Sequence, residues 1–326
     1  MQLASAIFKC HTHVPTACIS GPGQAIGISG SREPNPIASG RKRPPVPEVR
    51  SPTVRRGELG AVLRARRLEL GLTVEQVAEQ LLCSPSKVSR METGQRGATL
   101  RDVRDLCAFY GIADEAERAR LMTLAVEGKQ QGWWQPYGLP YSEFVGLEQA
   151  ASSMNVYNSA VVPGLLQTGN YAKALHEAAM PKLDPETIEQ RVETRLARQE
   201  LLDRSDPPLI EIILDEAVLR RPTGGPVVMR EQLDHIVEIS ERPGVIVRVL
   251  PFKLGAHPAL ESNFVILKFA GKAPNIVFVE GLIPPVYYRR AKEVQRYQQV
   301  FERLKEVGSS PEDSADLIVK IRDTYD

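Results

Sequence analysis

The 326-residue chain has no run of about 18 consecutive apolar residues, which excludes a helix spanning a bilayer. It has only four cysteines, Cys10, Cys18, Cys83 and Cys107, too few for a disulfide framework at this length. The last two fall in apolar periodic segments and read as buried free thiols of a reducing cytoplasm, where the protein is expected to reside. A secretion signal is lacking too, because Lys9 follows the first apolar letters instead of preceding them. No overall charge excess points to a partner: 41 Lys and Arg stand against 40 Asp and Glu. The balance is uneven along the chain, however, at +4 over residues 1–50, +3 over 51–110 and −6 over 111–326. A basic front on an acidic remainder fits one module that meets a polyanion joined to another that does not.

Catalytic signatures are equally scarce. The second half has no G-x-S-x-G, no Gly-rich phosphate loop, no H-E-x-x-H and no cysteine pair at ligand spacing. Asp215, Glu216, His257 and Glu280 are expected at strand ends or in loops, where catalytic groups do occur, but they fill no set of roles for a reaction. Neither enzyme activity nor a cofactor is expected. Cys10, His11, His13 and Cys18 are residue types that zinc accepts, at a spacing that fits no finger or knuckle, so no metal site is expected either. His176 and His235, within helical segments, read as solvated or half-buried side chains.

Residues 1–54 are expected to be a disordered extension. Their first fifty positions hold seven Pro and five Gly without helical or strand period, and cannot bury enough apolar surface to offset chain entropy. Ordered sequence is expected to begin near Arg55, which raises an upstream start of translation as one origin of the extension. Residues 55–128 then read as five short helices. Leu59, Val62, Leu63 and Leu70 form the stripe of the first, which Gly71 stops. Thr73-Val74-Glu75-Gln76 is a capping box opening the second, which buries Val77, Ala78 and Leu81. Ser84 caps the third with Pro85 at its first position, leaving Val88 and Met91 inward. Thr99 caps a fourth with Leu100, Val103, Leu106 and Cys107 on its buried side, and a fifth starts near Asp114.

Two short helices joined by a turn of about three residues, the second entering with a small polar cap, form a helix-turn-helix, which sets its second helix into the DNA major groove. With Val88 and Met91 inward, Ser84, Pro85, Ser86, Lys87, Ser89 and Arg90 are left to meet DNA. Arg90 can fork onto guanine O6 and N7, Lys87 can reach guanine or phosphate, and the serines can donate to phosphate. Thr73 and Gln76 at the start of the second helix, with Arg55 and Arg56 ahead of the first, are candidate backbone contacts.

Residues 129–326 read as an α+β domain with a four- or five-stranded sheet. Strands are expected at Glu211–Leu214, Val245–Phe252, Asn263–Phe269 and Asn275–Glu280. Helices are expected from Pro185 to about Asp203, over Val227–Glu241, over Ala291–Val307 and over Pro311–Arg322. Trp133, Trp134, Tyr137 and Tyr141 at the boundary read as packing between domains, with a ligand cage as the alternative. Arg191, Arg195 and Arg198 read as a solvated helix face answered by Glu189, Glu193 and Glu200, with a clamp for an acidic partner as the alternative.

Gly71-Leu72-Thr73, Val77-Ala78 and the run Ser84-Pro85-Ser86-Lys87-Val88-Ser89-Arg90-Met91-Glu92-Thr93-Gly94 resemble the helix-turn-helix of the xenobiotic-response-element (XRE) family of bacterial repressors. The resemblance implies a lambda-repressor-like five-helix domain and a structural pair between Arg67 and Glu92. The chain departs from the family at Val74, where Gln usually touches a phosphate, and at Leu82, where the turn usually has Gly. Gly132-Trp133-Trp134, Val162 to Thr168, Arg195 to Glu200, Leu214 to Ala217, Val249 to Phe252 and Gly255-Ala256-His257 are similar to the C-terminal domain of unknown function in antitoxin-like XRE regulators of high-GC Gram-positive bacteria. That likeness implies a small partner protein encoded nearby. The function expected is a transcriptional regulator binding double-stranded DNA as a homodimer, modulated through its C-terminal domain. A ligand-sensing repressor, or an antitoxin module in which DNA binding is secondary, are the alternatives.

Overall fold

The structure is a computed structural model and describes residues 51–130, 142–271, 273–281 and 285–325. The expectations for residues 1–50, for the Cys10 cluster and for the Trp133 to Tyr141 patch lie outside these residues. Helix α1 (Pro52–Glu69) starts three residues ahead of Arg55, because Pro52 is pre-set for a first helical position. It is followed by α2 (Val74–Gln80), α3 (Pro85–Glu92), α4 (Leu100–Phe109) and α5 (Glu115–Glu127). Side-chain oxygens of Thr73, Ser84, Thr99 and Asp114 cap the last four, so each short helix has a fixed start. Their common core holds Leu59, Leu63, Val77, Val88, Met91, Val103, Leu106 and Leu121. Leu70 and Leu100 are exposed, contrary to the periodicity: Leu70 follows the last turn of α1, and Leu100 is the first residue of α4. Cys107 is buried, whereas Cys83, in the turn before α3, is only half-buried.

The second part is α+β, and its sheet has six strands where four or five were expected. Helix α6 (Ser142–Ala150) leads into β1 (Ser153–Asn158), α7 (Gly169–Ala179), α8 (Pro185–Gln199), β2 (Leu209–Asp215), α9 (Glu216–Arg220), α10 (Pro226–Ser240) and β3 (Val245–Leu250). Then come β4 (Phe264–Lys268), β5 (Ile276–Val279), β6 (Val286–Tyr288), α11 (Ala291–Val307) and α12 (Pro311–Arg322). The order is β3-β2-β1-β4-β5-β6; β1, β2 and β3 are parallel, and β4, β5 and β6 run on antiparallel. The strands missed by the sequence are β1 and β6. Ser153-Met154-Asn155-Val156-Tyr157-Asn158 carries three polar residues yet lies at the sheet centre with Asn155 buried, and β6 is a three-residue edge.

Alternation splits the sheet between two cores. Met154, Val156, Ile210, Ile212, Leu214, Val247 and Val249 share a core with Met229, Leu233 and Ile236 of α10 and Ile318 and Ile321 of α12. Tyr157, Ile213, Leu250, Ile266 and Val277 face the other way, onto Val294, Phe301 and Leu304 of α11. Val54 of α1 packs into the first of these cores, and α1 also lies against α6, which ties the helical part to the sheet.

The arginine row of α8 is solvated only in part. Arg198 is buried in a bidentate pair with Glu148 of α6, at 2.7 and 2.8 Å, and stacks on Phe144. Arg195 donates to Gln167, and Arg191 lies against Met180. The carboxylate that pairs with Arg198 comes from another helix, 50 residues away, which i,i+4 spacing cannot reveal. His176 of α7 is buried beside this row. Burial, then the Arg195 and Arg191 charges, push its imidazole down to about 4. It is neutral in the folded chain and protonates more readily unfolded, so the stability it contributes is present above pH 6.5 and is lost as pH falls toward 4. Urea titrations should show roughly 1–3 kcal/mol of loss across that window, absent in His176→Leu; an equal slope in the variant would refute this role.

Candidate nucleic-acid interface

Helix α3 is held from both ends. At its exit, Arg67 near the end of α1 donates from Nε to Glu92 Oε1 at 2.6 Å and from Nη2 to Oε2 at 2.9 Å, with both residues buried. Its Nη1 donates to the Leu72 carbonyl at 2.8 Å, just ahead of α2. The Glu92 hydrogen bond raises the Arg67 pKa, and burial followed by the Glu92 charge pushes the Tyr110 hydroxyl up to about 12. The helices also touch backbone to backbone. A Cβ at Gly60 would lie 2.4 Å from the Met91 carbonyl oxygen and 2.6 Å from that of Glu92, so only glycine allows the approach.

At its entrance, Ser84 Oγ accepts from the Lys87 amide at 3.2 Å with Pro85 beside it. The Lys87 side chain turns away from the outward face and donates to Asp102 Oδ1 at 2.6 Å. Asp102 also closes the α4 capping box, accepting from the Thr99 amide at 3.0 Å. Burial opposes ionisation of Asp102, but its hydrogen bonds from Lys87 and Thr99 prevail and hold it below the usual carboxylate range. Lys87, expected to meet DNA, is thus placed in an ion pair with a carboxylate of α4. The sequence signal for Asp102 was the T-x-x-D pattern at Thr99, which marks the start of α4 but not its neighbour.

The remaining α3 candidates form one open face. Ser84, Pro85, Ser86, Ser89 and Arg90 are exposed, and Arg90 Nε donates to the Ser86 carbonyl at 3.3 Å, laying the guanidinium along the helix. Thr73 and Gln76 are exposed too, at the start of α2. Gln76 Oε1 accepts from the Thr73 amide at 2.8 Å and Thr73 Oγ1 accepts from the Gln76 amide at 3.2 Å, so their oxygens serve the capping box. Arg96, not singled out by the sequence, is exposed just beyond α3, and its amide donates to the Arg90 carbonyl at 3.0 Å. Val74 is half-buried against the domain core, at the position where the resembling family has Gln.

Arg55 and Arg56, the candidates ahead of the helix-turn-helix, also have partners within the chain. With α1 starting at Pro52 they occupy its first turns and face protein. Arg55 pairs with Glu58 at 2.9 Å and Glu127 at 3.0 Å, while Arg56 donates to Thr53 Oγ1 at 3.0 Å and the Gly128 carbonyl at 3.4 Å.

In the second part, Asp215, Glu216 and His257 gather at the carboxyl ends of the parallel strands. Asp215 Oδ1 caps α9 by accepting from Ala217, and its Oδ2 lies 3.4 Å from His257 Nε2, which also lies 3.5 Å from the Tyr157 hydroxyl. Burial, then the Asp215 charge, raise the Tyr157 pKa. Glu216 accepts from the Phe252 amide at 2.7 Å and pairs with Arg220 at 2.6 Å. Glu280 follows β5 at the same edge, three strand spacings or about 14 Å from Asp215. Among the described residues no group of three or more His, Cys, Asp or Glu is arranged to hold a metal ion, and no helix is long and apolar enough to cross a membrane.

Leu82, between α2 and α3, is the one non-glycine residue with positive φ among the described residues, at +50°, and its side chain is 92% exposed. A left-handed Leu is strained by about 1–2 kcal/mol, part of which a glycine would return as chain entropy. Leu82→Gly should therefore raise stability by about 0.5–1 kcal/mol in urea unfolding; a loss would mean that the Leu side chain makes a stabilising contact.

A family model for a helix-turn-helix domain matches residues 58–121, the segment that contains α2, the strained turn and α3. This match supports DNA binding by the helical part of the chain. A second model, for a domain of unknown function (DUF5753), matches residues 141–320, more than half of the chain. No match is found among curated proteins or among solved structures. With the helix-turn-helix ahead of the α+β domain, the chain belongs to the DUF5753 family.

Proposed function

We propose that the chain is a sequence-specific DNA-binding transcriptional regulator, acting in the cytoplasm as a homodimer on a palindromic operator with half-sites about 34–36 Å apart. The observation that carries the reading is α3 itself: an eight-residue capped helix, pinned at both ends, with Ser86, Ser89 and Arg90 open to solvent. Arg90 reads a guanine through its fork, and Ser84, Ser86, Thr73, Gln76 and Arg96 serve the phosphate backbone. Bound at a promoter, the protein acts by occlusion or recruitment.

The finer context, an antitoxin-like XRE regulator whose C-terminal domain takes a small partner protein encoded nearby, rests on the resemblance alone, and co-purification from the native host tests it. We assign the second domain no catalytic role, on the ground that Asp215 is engaged in a cap and Glu216 in a cap-like contact and an ion pair.

Fluorescence anisotropy on duplex DNA from upstream of the gene tests the operator-binding face. Arg90→Ala should weaken binding by about 1–3 kcal/mol, more for the operator than for unrelated DNA. Lys87→Ala should weaken it far less, because its ammonium faces Asp102. Wild-type affinity and salt dependence in an Arg90→Ala, Ser86→Ala double variant would rule the face out.

A further inference from the structure

A half-open cavity of about 570 Å³ lies where the first turn of α1 and the loop after α3 meet α6 and β6. Thr53, Arg56 and Gln95 line it from the helical part, and Glu143, Tyr287 and Arg289 from the α+β part. Its volume falls in the range of small-molecule sites. Two guanidiniums share it with one carboxylate, and that carboxylate is taken: Glu143 accepts from Arg289, which also stacks on the Tyr287 ring at 5.1 Å.

Among the described residues, none gives Arg56 a counter-charge in contact. Its two hydrogen-bond partners, the Thr53 hydroxyl and the Gly128 carbonyl, are both neutral, and its Nε is buried with no partner among the described residues. Burial lowers its pKa, the more distant Glu143 opposes this, and Arg289 adds to it. A guanidinium drawn even half out of water, as Arg56 is, gains from an anion in contact. Here none comes from the described residues, and the side chain lines an open cavity.

We propose that this cavity is a binding site for a small molecule carrying an oxyanion, a carboxylate or a phosphate, held between Arg56 and Arg289. Both guanidiniums offer the planar donor fork that such groups accept. The site also touches the machinery of α3. The loop leaving α3 rests on α1, since a Cβ at Gly94 (φ +72°) would lie 2.8 Å from the Gly57 Cα, and Gln95 of the same loop lines the cavity. An oxyanion bridging Arg56 and Arg289 therefore fastens the start of α1 to β6 and changes the seating of α3. This coupling rests on the proposed operator binding; occupancy of the cavity does not.

Calorimetric titration of the full chain with inorganic phosphate, and separately with citrate, against chloride at matched ionic strength, tests the site without DNA. At least one oxyanion should bind saturably, and which one does identifies the ligand group. Arg56→Gln and Arg289→Gln should each weaken that binding at least tenfold. Glu143→Gln, which releases Arg289, should tighten it threefold or more, a gain that misfolding cannot produce. No saturable binding of either oxyanion, or binding that both arginine variants retain, overturns the site. Operator affinity at saturating oxyanion should shift threefold or more in the wild type and not in Arg56→Gln. Oxyanion binding with unchanged operator affinity would leave the site standing and overturn the coupling, whereas a chain that binds no operator at all would overturn the functional proposal and not the site.

Discussion

The buried pair between Arg67 and Glu92 is the constraint on which the helix-turn-helix depends. Three donors of one guanidinium fix the exit of α3 and the carbonyl of Leu72 ahead of α2, so one side chain of α1 sets the relation of three helices. Taking two charges out of water costs several kcal/mol, and the bidentate geometry does little more than offset it. Its value lies in selectivity: a rotated or shifted α3 would leave a buried charge unpaired, which is far worse than leaving an apolar contact unmade. The bare backbone at Gly60 lets α1 come close enough for the pair to form. Lys87 and Asp102 repeat the device at the other end, joining the entrance of α3 to α4. Between the two anchors, Ser86, Ser89 and Arg90 are held out to solvent on a helix that has little freedom to turn.

Local grammar made most of this domain legible. Caps at Thr73, Ser84 and Thr99, the proline at the start of α3 and the Val88 and Met91 spacing are properties of adjacent residues, and the chain folds there as they direct. What the local pattern left out is nonlocal. Lys87 looked outward on its own helix, and the carboxylate that claims it stands 15 residues on. Arg55 and Arg56 looked like a basic arm because the start of α1 at Pro52 was missed by three residues. In the α+β domain, strands rich in β-branched residues were readable, whereas the central β1 was not: the buried Asn155 breaks the apolar pattern by which a strand is read. Glu148 and Arg198 likewise lie far apart in the chain, and each alone has the pattern of an ordinary surface residue.

The α+β domain and the helix-turn-helix meet through α1. Its start contributes Val54 to the sheet core, its middle carries Gly60 against α3, and its end carries Arg67. A single helix thus connects the surface proposed to face DNA to the domain that fills the larger part of the chain. The half-buried Arg56 side chain lines an open cavity at this junction, where the proposed oxyanion would act on α3.

The central claim, that the open face of α3 is what touches DNA, is tested most directly by photocrosslinking an operator duplex substituted with 5-iodouracil and sequencing the attached peptides by mass spectrometry. The account predicts crosslinks within residues 84–96, on the segment from Ser84 to Arg96. Crosslinks confined to the α+β domain, with residues 84–96 unmodified at saturating DNA, would contradict it.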